Sequence, residues 1–246
     1  MIRPRGRRPC RTPPLRRGRA GGRAAQDRLF EWEVVVGDVY ANYAQLAAGE
    51  DEGVDYTRTV IGGPTTSWAS IAIHGGGIEA GSGELALAVG DGLMNTYVFA
   101  GIKSSRNSDL HITATKFDEP QCLALLAAAD RTISVHGYTG TAGEPETALG
   151  GLDASLAGDL SAALTDQGFS VVAASSEISG SYPGNICNRN RRGAGVQVEL
   201  SHALRTSFFP DGDLTRSARD SGRRTQLFHD YVEAVRSVVA VAQPAS

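Results

Sequence analysis

The sequence has few cysteines, almost no lysine and no long apolar run. Three cysteines in 246 residues are too few for a disulfide scaffold, and none forms a CxxC pair, so a thiolate zinc knuckle is also excluded. No stretch reaches the roughly 18 apolar residues that a membrane-spanning helix needs. The whole chain, with 41% hydrophobic and 21% charged residues, is typical of a soluble globular protein with a sizeable core.

Charge is distributed unevenly along the chain. Residues 1–28 carry ten arginines and one acid, a net charge of +9, whereas the rest of the chain has a net charge of -12. Because this segment combines Arg, Pro and Gly without periodicity, we expect a disordered basic tail at residues 1–28 and one folded domain at residues 29–246. Three explanations of the tail stay open: an RNA-affine segment, a misplaced start codon and the remnant of an export signal.

From Leu29 onward, β-rich runs alternate with amphipathic helical patterns. The predicted strands are Trp68–Ile73, Thr96–Ala100, Leu110–Thr115, Thr132–His136, Phe169–Ala173 and Gly195–Leu200. The predicted helices are Gly83–Val89, Glu119–Ala129 with Asp118 as N-cap, Ala154–Gln167 with Gly168 beyond its end, and Gln226–Val241. This alternation predicts a single three-layer α/β domain with a mixed, mostly parallel sheet flanked by helices.

Two of the five histidines end apolar β-runs. His74 follows one run and His136 another, and a glycine comes directly after each. Because ligands of open α/β sheets bind beyond the carboxyl ends of the strands, we expect both imidazoles at the same edge. Glu79, near the start of a predicted helix, can turn back toward His74, and two nitrogens with one carboxylate form the ligand set of a catalytic zinc site. The alternative is that each histidine simply caps a turn.

Glu199 is the one carboxylate in the apolar strand Gly195–Leu200. A buried carboxylate without a partner is costly, so this side chain either meets a cation or transfers protons. Beside a zinc-bound water it would act as general base and then pass the proton to a leaving amine. The alternative is an ion pair with Arg205 or Arg192.

Six sequence blocks carry a family resemblance. They are HGGGIEAGSGELA (74–86), LHITATKFDEP (110–120), ISVHG (133–137), GGLD (150–153), NICNRNRRGAGVQVELS (185–201) and LRTSFF (204–209). In this order they resemble the poly-γ-glutamate hydrolases, a phage-type and bacterial zinc family that cleaves capsular poly-γ-glutamic acid. The similarity covers roughly residues 40–209.

The resemblance implies a fold distantly related to zinc carboxypeptidases and one Zn²⁺ ion. Carried over by position, it makes His74, Glu79 and His136 the zinc ligands and Glu199 the catalytic base. It also implies an anionic polymer or peptide as substrate. We further expect no specific nucleic acid and no membrane as partner, and a monomeric protein. Secretion or release on lysis is favoured over a strictly cytoplasmic location.

Substrate binding is predicted from arginines around the Glu199 strand. Poly-γ-glutamate carries an α-carboxylate on every residue, and Arg189, Arg192 and Arg205 could pair bidentately with such groups. The alternative is a solvated basic loop, and the net charge of -12 opposes binding of a polyanion. His111 is expected to pack in the core or support the site, with substrate contact as its alternative.

Two other functions remain open at this stage. One is a zinc carboxypeptidase or amidase that acts on peptidoglycan or N-acyl amino acids. The other is a polymer-binding module without catalysis, although such a module has no need for a carboxylate at Glu199.

Overall fold

The computed structural model describes residues 37–63 and 67–242, so the predicted tail at residues 1–28 lies outside the described residues. The described strands are β1 (Tyr56–Ile61), β2 (Trp68–Gly76), β3 (Asn95–Gly101), β4 (Arg131–Tyr138), β5 (Glu146–Gly151), β6 (Ser170–Ala173) and β7 (Val196–Ser201). The described helices are α1 (Tyr43–Gly49), α2 (Ser82–Gly90), α3 (Pro120–Ala127), α4 (Ala154–Asp166), α5 (His202–Ser207), α6 (Arg216–Asp220) and α7 (Gln226–Ala242). Short 3₁₀ helices lie at Asn107–Leu110, Ile186–Asn188 and Pro210–Gly212.

The seven strands form one mixed sheet in the order β1-β3-β2-β4-β7-β5-β6. The four central strands, β3, β2, β4 and β7, run parallel to one another. Strands β1 and β5 pair antiparallel with β3 and β7, and β6 runs parallel to β5. Every residue of β2 and β7 is buried, as expected for strands that are covered on both faces.

Helices cover the sheet on both sides. One apolar cluster joins α2, α4 and α7 to one face through residues such as Leu85, Leu160 and Val235. A second cluster joins α1, α3 and the 110–117 segment to the opposite face, with Phe117 and Cys122 fully buried. This arrangement confirms the predicted three-layer α/β domain with a mixed, mostly parallel sheet. No helix among the described residues combines the length and the apolar character needed to cross a bilayer.

The helix ends agree with the predictions except at α3. Asp153 caps α4 by accepting a hydrogen bond from the Leu156 N–H, at 3.2 Å. The predicted cap of α3 was wrong, because Glu119 rather than Asp118 accepts the N–H of Cys122, at 2.8 Å. Asp118 instead accepts the N–H of Tyr43, at 2.8 Å, and so ties α1 to the start of α3.

The predicted strand Leu110–Thr115 was also wrong. A 3₁₀ helix ends at Leu110, and the chain then continues without helix or strand. Its polar backbone groups bind side chains and turns instead of a neighbouring strand: Thr113 donates its N–H to Asp38, the Ile112 carbonyl accepts from His74, and the Thr113 carbonyl accepts from the N–H of Lys116. The half-exposed edge strand β1 and the glycine-ended strand β5 were not predicted.

Candidate active site

Three central strands bring polar side chains to one edge of the sheet. His74 lies near the end of β2, His136 lies near the end of β4, and Glu199 lies directly opposite His136 in the β4–β7 register. A β-bulge between Ala72 and Gly75 interrupts the β2–β3 register beside His74. Bulges redirect side chains next to functional sites, and this one lies beside a residue of the predicted ligand set.

The glycines after His74 allow the chain to turn tightly toward the site. Gly76 has a φ of +67°, and a side chain there would collide with the carbonyl of Gly101. The turn closes when the Glu79 N–H donates to the His74 carbonyl, at 2.8 Å. The Gly137 N–H then donates to Glu79 Oε2, also at 2.8 Å, so the carboxylate is held between β2 and β4.

His74, Glu79 and His136 present three donor atoms to one point. His74 Nδ1 lies 2.8 Å from Glu79 Oε1 and 3.2 Å from His136 Nδ1. His136 Nδ1 lies 3.6 Å from Glu79 Oε2. Ligands at ~2.0–2.1 Å from zinc in a tetrahedral site lie about 3.3 Å from one another, so these separations match that ion.

The far side of each ring is held by an oxygen. His74 Nε2 lies 3.0 Å from the carbonyl oxygen of Ile112, which can only accept, so Nε2 donates to it and Nδ1 is the nitrogen that faces Glu79 and His136. His136 Nε2 lies 3.0 Å from Ser134 Oγ. Metal-binding histidines are oriented by such contacts at the second ring nitrogen. The donor set and its supporting contacts therefore fit a zinc ion.

Burial and neighbouring polar groups shift the pKa values of Glu79 and His136 in opposite directions. Burial by itself raises the pKa of Glu79, but the charge of His74 and the hydrogen bonds from both imidazoles outweigh it, and the pKa lies well below its ordinary value. Burial lowers the pKa of His136, whereas the hydrogen bond to Glu79 and the charge of Glu199 raise it, with a net upward shift. Glu79 is therefore ionised at neutral pH, as a metal ligand must be.

Glu199 is buried and is held by an amide. Glu199 is only 4% exposed to solvent. Gln197 Nε2 donates a hydrogen bond to Glu199 Oε1 at 2.8 Å. Gln197 is fixed in turn, because its Oε1 accepts from Asn185 Nδ2 at 2.9 Å. Burial raises the pKa of Glu199, and the opposing charge of His136 offsets that rise only in part. A buried carboxylate with a raised pKa suits proton transfer.

The arginines predicted to bind substrate form other contacts. Arg205 is buried and donates to the backbone carbonyls of Ala80, Tyr138 and Leu200. Arg192 pairs with Asp153 at 3.0 Å, and neither arginine forms the alternative ion pair with Glu199. Arg189 donates to the Phe117 carbonyl at 3.4 Å. None of the three lines the cavity beside the predicted metal ligands, but Arg205 lies next to it, since it donates to the carbonyls of Ala80 and Tyr138. Substrate binding by these arginines stays a prediction.

A cavity of about 360 Å³ opens over the four predicted residues. His74, Glu79, His136 and Glu199 all lie in its wall, together with Thr113, Thr115 and residues 176–182. Among the residues that the structure describes, no lysine or arginine lines this cavity. The wall is instead rich in hydroxyl groups and backbone amides.

His111 also faces this cavity. Its ring lies 4.0 Å from the ring of His74, and its Nδ1 lies 2.8 Å from Asp38 Oδ1. Burial, and after it the charge of His74, lowers the pKa of His111 to about 4. His74, Glu79 and His111 offer ligand atoms within 4.8 Å of one another, so His111 is a competing third ligand. His136 is favoured because its Nδ1 faces both other ligands, at 3.2 Å from His74 Nδ1 and 3.6 Å from Glu79 Oε2.

Two contributors to the site were not predicted from the sequence. Gln197 has a readable signal, because it lies two residues before Glu199 and therefore on the same face of β7. Asp38 has none, since it reaches Thr113 from a position 75 residues away.

Comparison with known proteins gives consistent matches over most of the chain. Residues 40–234 match the family model described as poly-gamma-glutamate hydrolase. The SPbeta prophage-derived UPF0714 protein YoqZ of Bacillus subtilis (strain 168) is 35% identical over 214 residues, which are 84% of this chain and 73% of YoqZ. The UPF0714 protein YndL of the same organism is 35% identical over 202 residues, 80% of this chain and 76% of YndL.

Two solved structures have the same fold. A bacteriophage poly-gamma-glutamate hydrolase superposes with a TM-score of 0.78 at 35% identity, over 83% of this chain and 97% of that chain. A structure described as YNDL-apo (Zinc-free) superposes with a TM-score of 0.76 at 33% identity, over 82% of this chain and 98% of that chain. The family model and these relatives each match most of the chain. This chain therefore belongs to the poly-γ-glutamate hydrolase family.

Proposed function

We propose that this chain hydrolyses the γ-glutamyl amide bonds of poly-γ-glutamate, with His74, Glu79 and His136 as ligands of one zinc ion and Glu199 as general base. The observation that carries the proposal is the convergence of these four side chains in one cavity. The two Nδ1 atoms lie 3.2 Å apart, each lies within 3.6 Å of a Glu79 carboxylate oxygen, and Glu199 lies opposite His136 in the sheet register. Family membership supports the substrate, and the zinc-free description of a related structure supports the metal.

The chemistry that a bound zinc ion supplies is polarisation of the scissile carbonyl and a lowered pKa for the attacking water. The protein's own contribution is to hold and move the proton. Within the described part of the chain, Gln197 donates its hydrogen bond to Oε1 of Glu199. Because Oε1 is occupied in this way, we assign proton transfer to Oε2.

Glu199 acts twice in the reaction. It first takes a proton from the water whose oxygen attacks the amide carbon. When the C–N bond breaks, it returns that proton to the leaving nitrogen, and the products are a γ-carboxylate and a free amine. The raised pKa of Glu199 suits both steps, because the group must accept a proton and then release it.

Substrate carboxylates must be bound without arginine in the described cavity wall. The groups that can donate hydrogen bonds there are hydroxyls, backbone amides, the side-chain amides of Asn185 and Gln197, and the imidazole of His111. The hydroxyl-bearing residues are Thr113, Thr115, Tyr138, Ser176, Ser179, Ser181 and Tyr182. We assign recognition of the polymer's α-carboxylates to this wall.

Hydrolysis of poly-γ-glutamate by the zinc-loaded full chain and its Glu199→Gln variant tests the proposal. We expect the wild type to shorten the polymer, as followed by size-exclusion chromatography. The variant should lose about 10²- to 10⁴-fold in rate, the typical contribution of a general base, while zinc content stays unchanged. Glu233→Gln, on an exposed position of α7, is the matched control and should retain full activity.

Intact polymer after incubation with zinc-loaded wild type would contradict the substrate assignment. A fully active Glu199→Gln variant would remove Glu199 from the mechanism. Rapid loss of long chains would indicate internal cleavage, whereas early release of glutamate would favour a carboxypeptidase-like mode.

A further inference from the structure

A single carboxylate holds the chain segment that lies against His74. Asp38 Oδ1 accepts from the Nδ1–H of His111 at 2.8 Å, and Asp38 Oδ2 accepts from the N–H of Thr113 at 2.9 Å. The Asp38 side chain is only 6% exposed. The carboxylate therefore fixes both neighbours of Ile112 at once.

The carbonyl of Ile112 is the group that orients His74. It accepts from His74 Nε2 at 3.0 Å, and this contact sets which ring nitrogen faces Glu79 and His136. The ring of His111 lies 4.0 Å from the same imidazole and is tilted by 30°. The hydrogen bond to His74 thus comes from Ile112, which lies between the two residues that Asp38 binds, and the ring contact comes from His111, one of those two residues.

No regular structure holds this segment in place. Residues 111–113 belong to neither a helix nor a strand, so a hydrogen-bond ladder does not fix the direction of the Ile112 carbonyl. The buried side chain of Ile112 anchors the segment on one side. Turn hydrogen bonds hold the His111 N–H and the Thr113 carbonyl, and Asp38 holds the His111 ring and the Thr113 N–H. Asp38 also lies just outside the span 40–234 that matches the family model.

We propose that Asp38 is a positioning residue of the metal centre: it holds His111 and Thr113, and thereby directs the Ile112 carbonyl that fixes the His74 ring. The proposal rests on the ligand assignment in the proposed function. Asp38 touches neither the ion nor the substrate, and it acts by reducing the freedom of one ligand. Loss of such a supporting contact typically costs about 10- to 100-fold in metal affinity.

Zinc affinity of the full chain, measured by competition with a chelator of known affinity, tests this role. We expect Asp38→Ala to bind zinc about 10- to 100-fold more weakly than the wild type. Asp38→Asn keeps one acceptor oxygen, so its zinc affinity should lie between those of the wild type and Asp38→Ala. His111→Phe keeps a ring against His74 and leaves Thr113 bound to Asp38, so its loss should be smaller than that of Asp38→Ala.

The matched control is Asp213→Ala. The carboxylate of Asp213 also accepts a backbone N–H, from Thr215 at 2.8 Å, but it lies in an exposed turn. This variant should bind zinc as the wild type does. Thermal unfolding of the metal-free proteins identifies any variant that is not folded, and Asp38→Asn then decides the question if Asp38→Ala fails to fold.

Wild-type zinc affinity in a folded Asp38→Ala or Asp38→Asn variant would overturn the role of Asp38. A wild type that binds zinc but leaves poly-γ-glutamate intact would overturn the proposed substrate, while the affinity series would still decide on Asp38. A wild type that binds no zinc would overturn both proposals.

Discussion

The ends of the central strands and the arginines on either side of β7 use their polar groups differently. His74, His136 and Glu199 project from neighbouring strands into one cavity. Arg192 and Arg205 instead bind Asp153 and backbone carbonyls, so they hold the framework together. The difference teaches that strand register fixes where a side chain points, whereas the partner of a loop or helix arginine depends on which distant segment packs beside it.

The largest effect is expected from removal of a metal ligand. The zinc affinity of His136→Ala should fall by more than the roughly 10- to 100-fold that is typical for loss of a supporting contact. Polymer hydrolysis should be lost together with the metal. His111→Ala should retain most of its zinc, because His136 rather than His111 is the third ligand in the proposed site, with its Nδ1 facing His74 and Glu79. Zinc per chain after dialysis distinguishes the two variants, with His229→Ala on α7 as the control. Retained zinc in His136→Ala and loss in His111→Ala would reverse the ligand assignment.

The next effect concerns the amide that holds the base. Gln197→Ala frees Glu199 Oε1 from its hydrogen bond, and we expect kcat to fall about 10- to 100-fold through misplacement of the carboxylate, with KM within about twofold of the wild-type value. Steady-state kinetics on the polymer measures both constants. Gln226→Ala is matched, since Gln226 also donates to a carboxylate, that of Asp230, but on the exposed surface of α7. A change in KM alone would place Gln197 in substrate binding instead.

Arg205 should affect stability rather than binding. Arg205→Ala removes the 2.9 Å donor of the Ala80 carbonyl and two weaker contacts at 3.3 Å, so we expect the free energy of unfolding to fall by about 1–3 kcal/mol, the cost of one buried unpaired acceptor. Urea unfolding of the metal-free protein measures this change. A variant of unchanged stability with a raised KM would restore Arg205 to substrate recognition.

The smallest effect is expected at Arg192. Its side chain is 44% exposed and pairs with Asp153, so solvent screening limits the pair to less than about 1 kcal/mol. Arg192→Ala should therefore change neither the KM for the polymer nor the free energy of unfolding by a measurable amount. A severalfold rise in KM would show that this arginine reaches the substrate after all.

The sequence was sufficient to predict the central strands and the four residues that meet in the cavity. An apolar run that ends at a histidine indicates both a buried strand and the end of that strand, so His74 and His136 were placed together correctly. It was not sufficient for the 110–115 segment or for the arginines. Thr113 binds Asp38 across 75 residues, and Arg205 binds Ala80 across 125, and no local pattern encodes such contacts.

Zinc-edge anomalous diffraction from crystals of the metal-loaded protein tests the central claim most directly. We predict one anomalous peak per chain, bound by Nδ1 of His74, Nδ1 of His136 and the Glu79 carboxylate, with Glu199 in the same cavity but not a ligand. A peak bound by His111 in place of His136, or no peak near these three residues, would contradict the account.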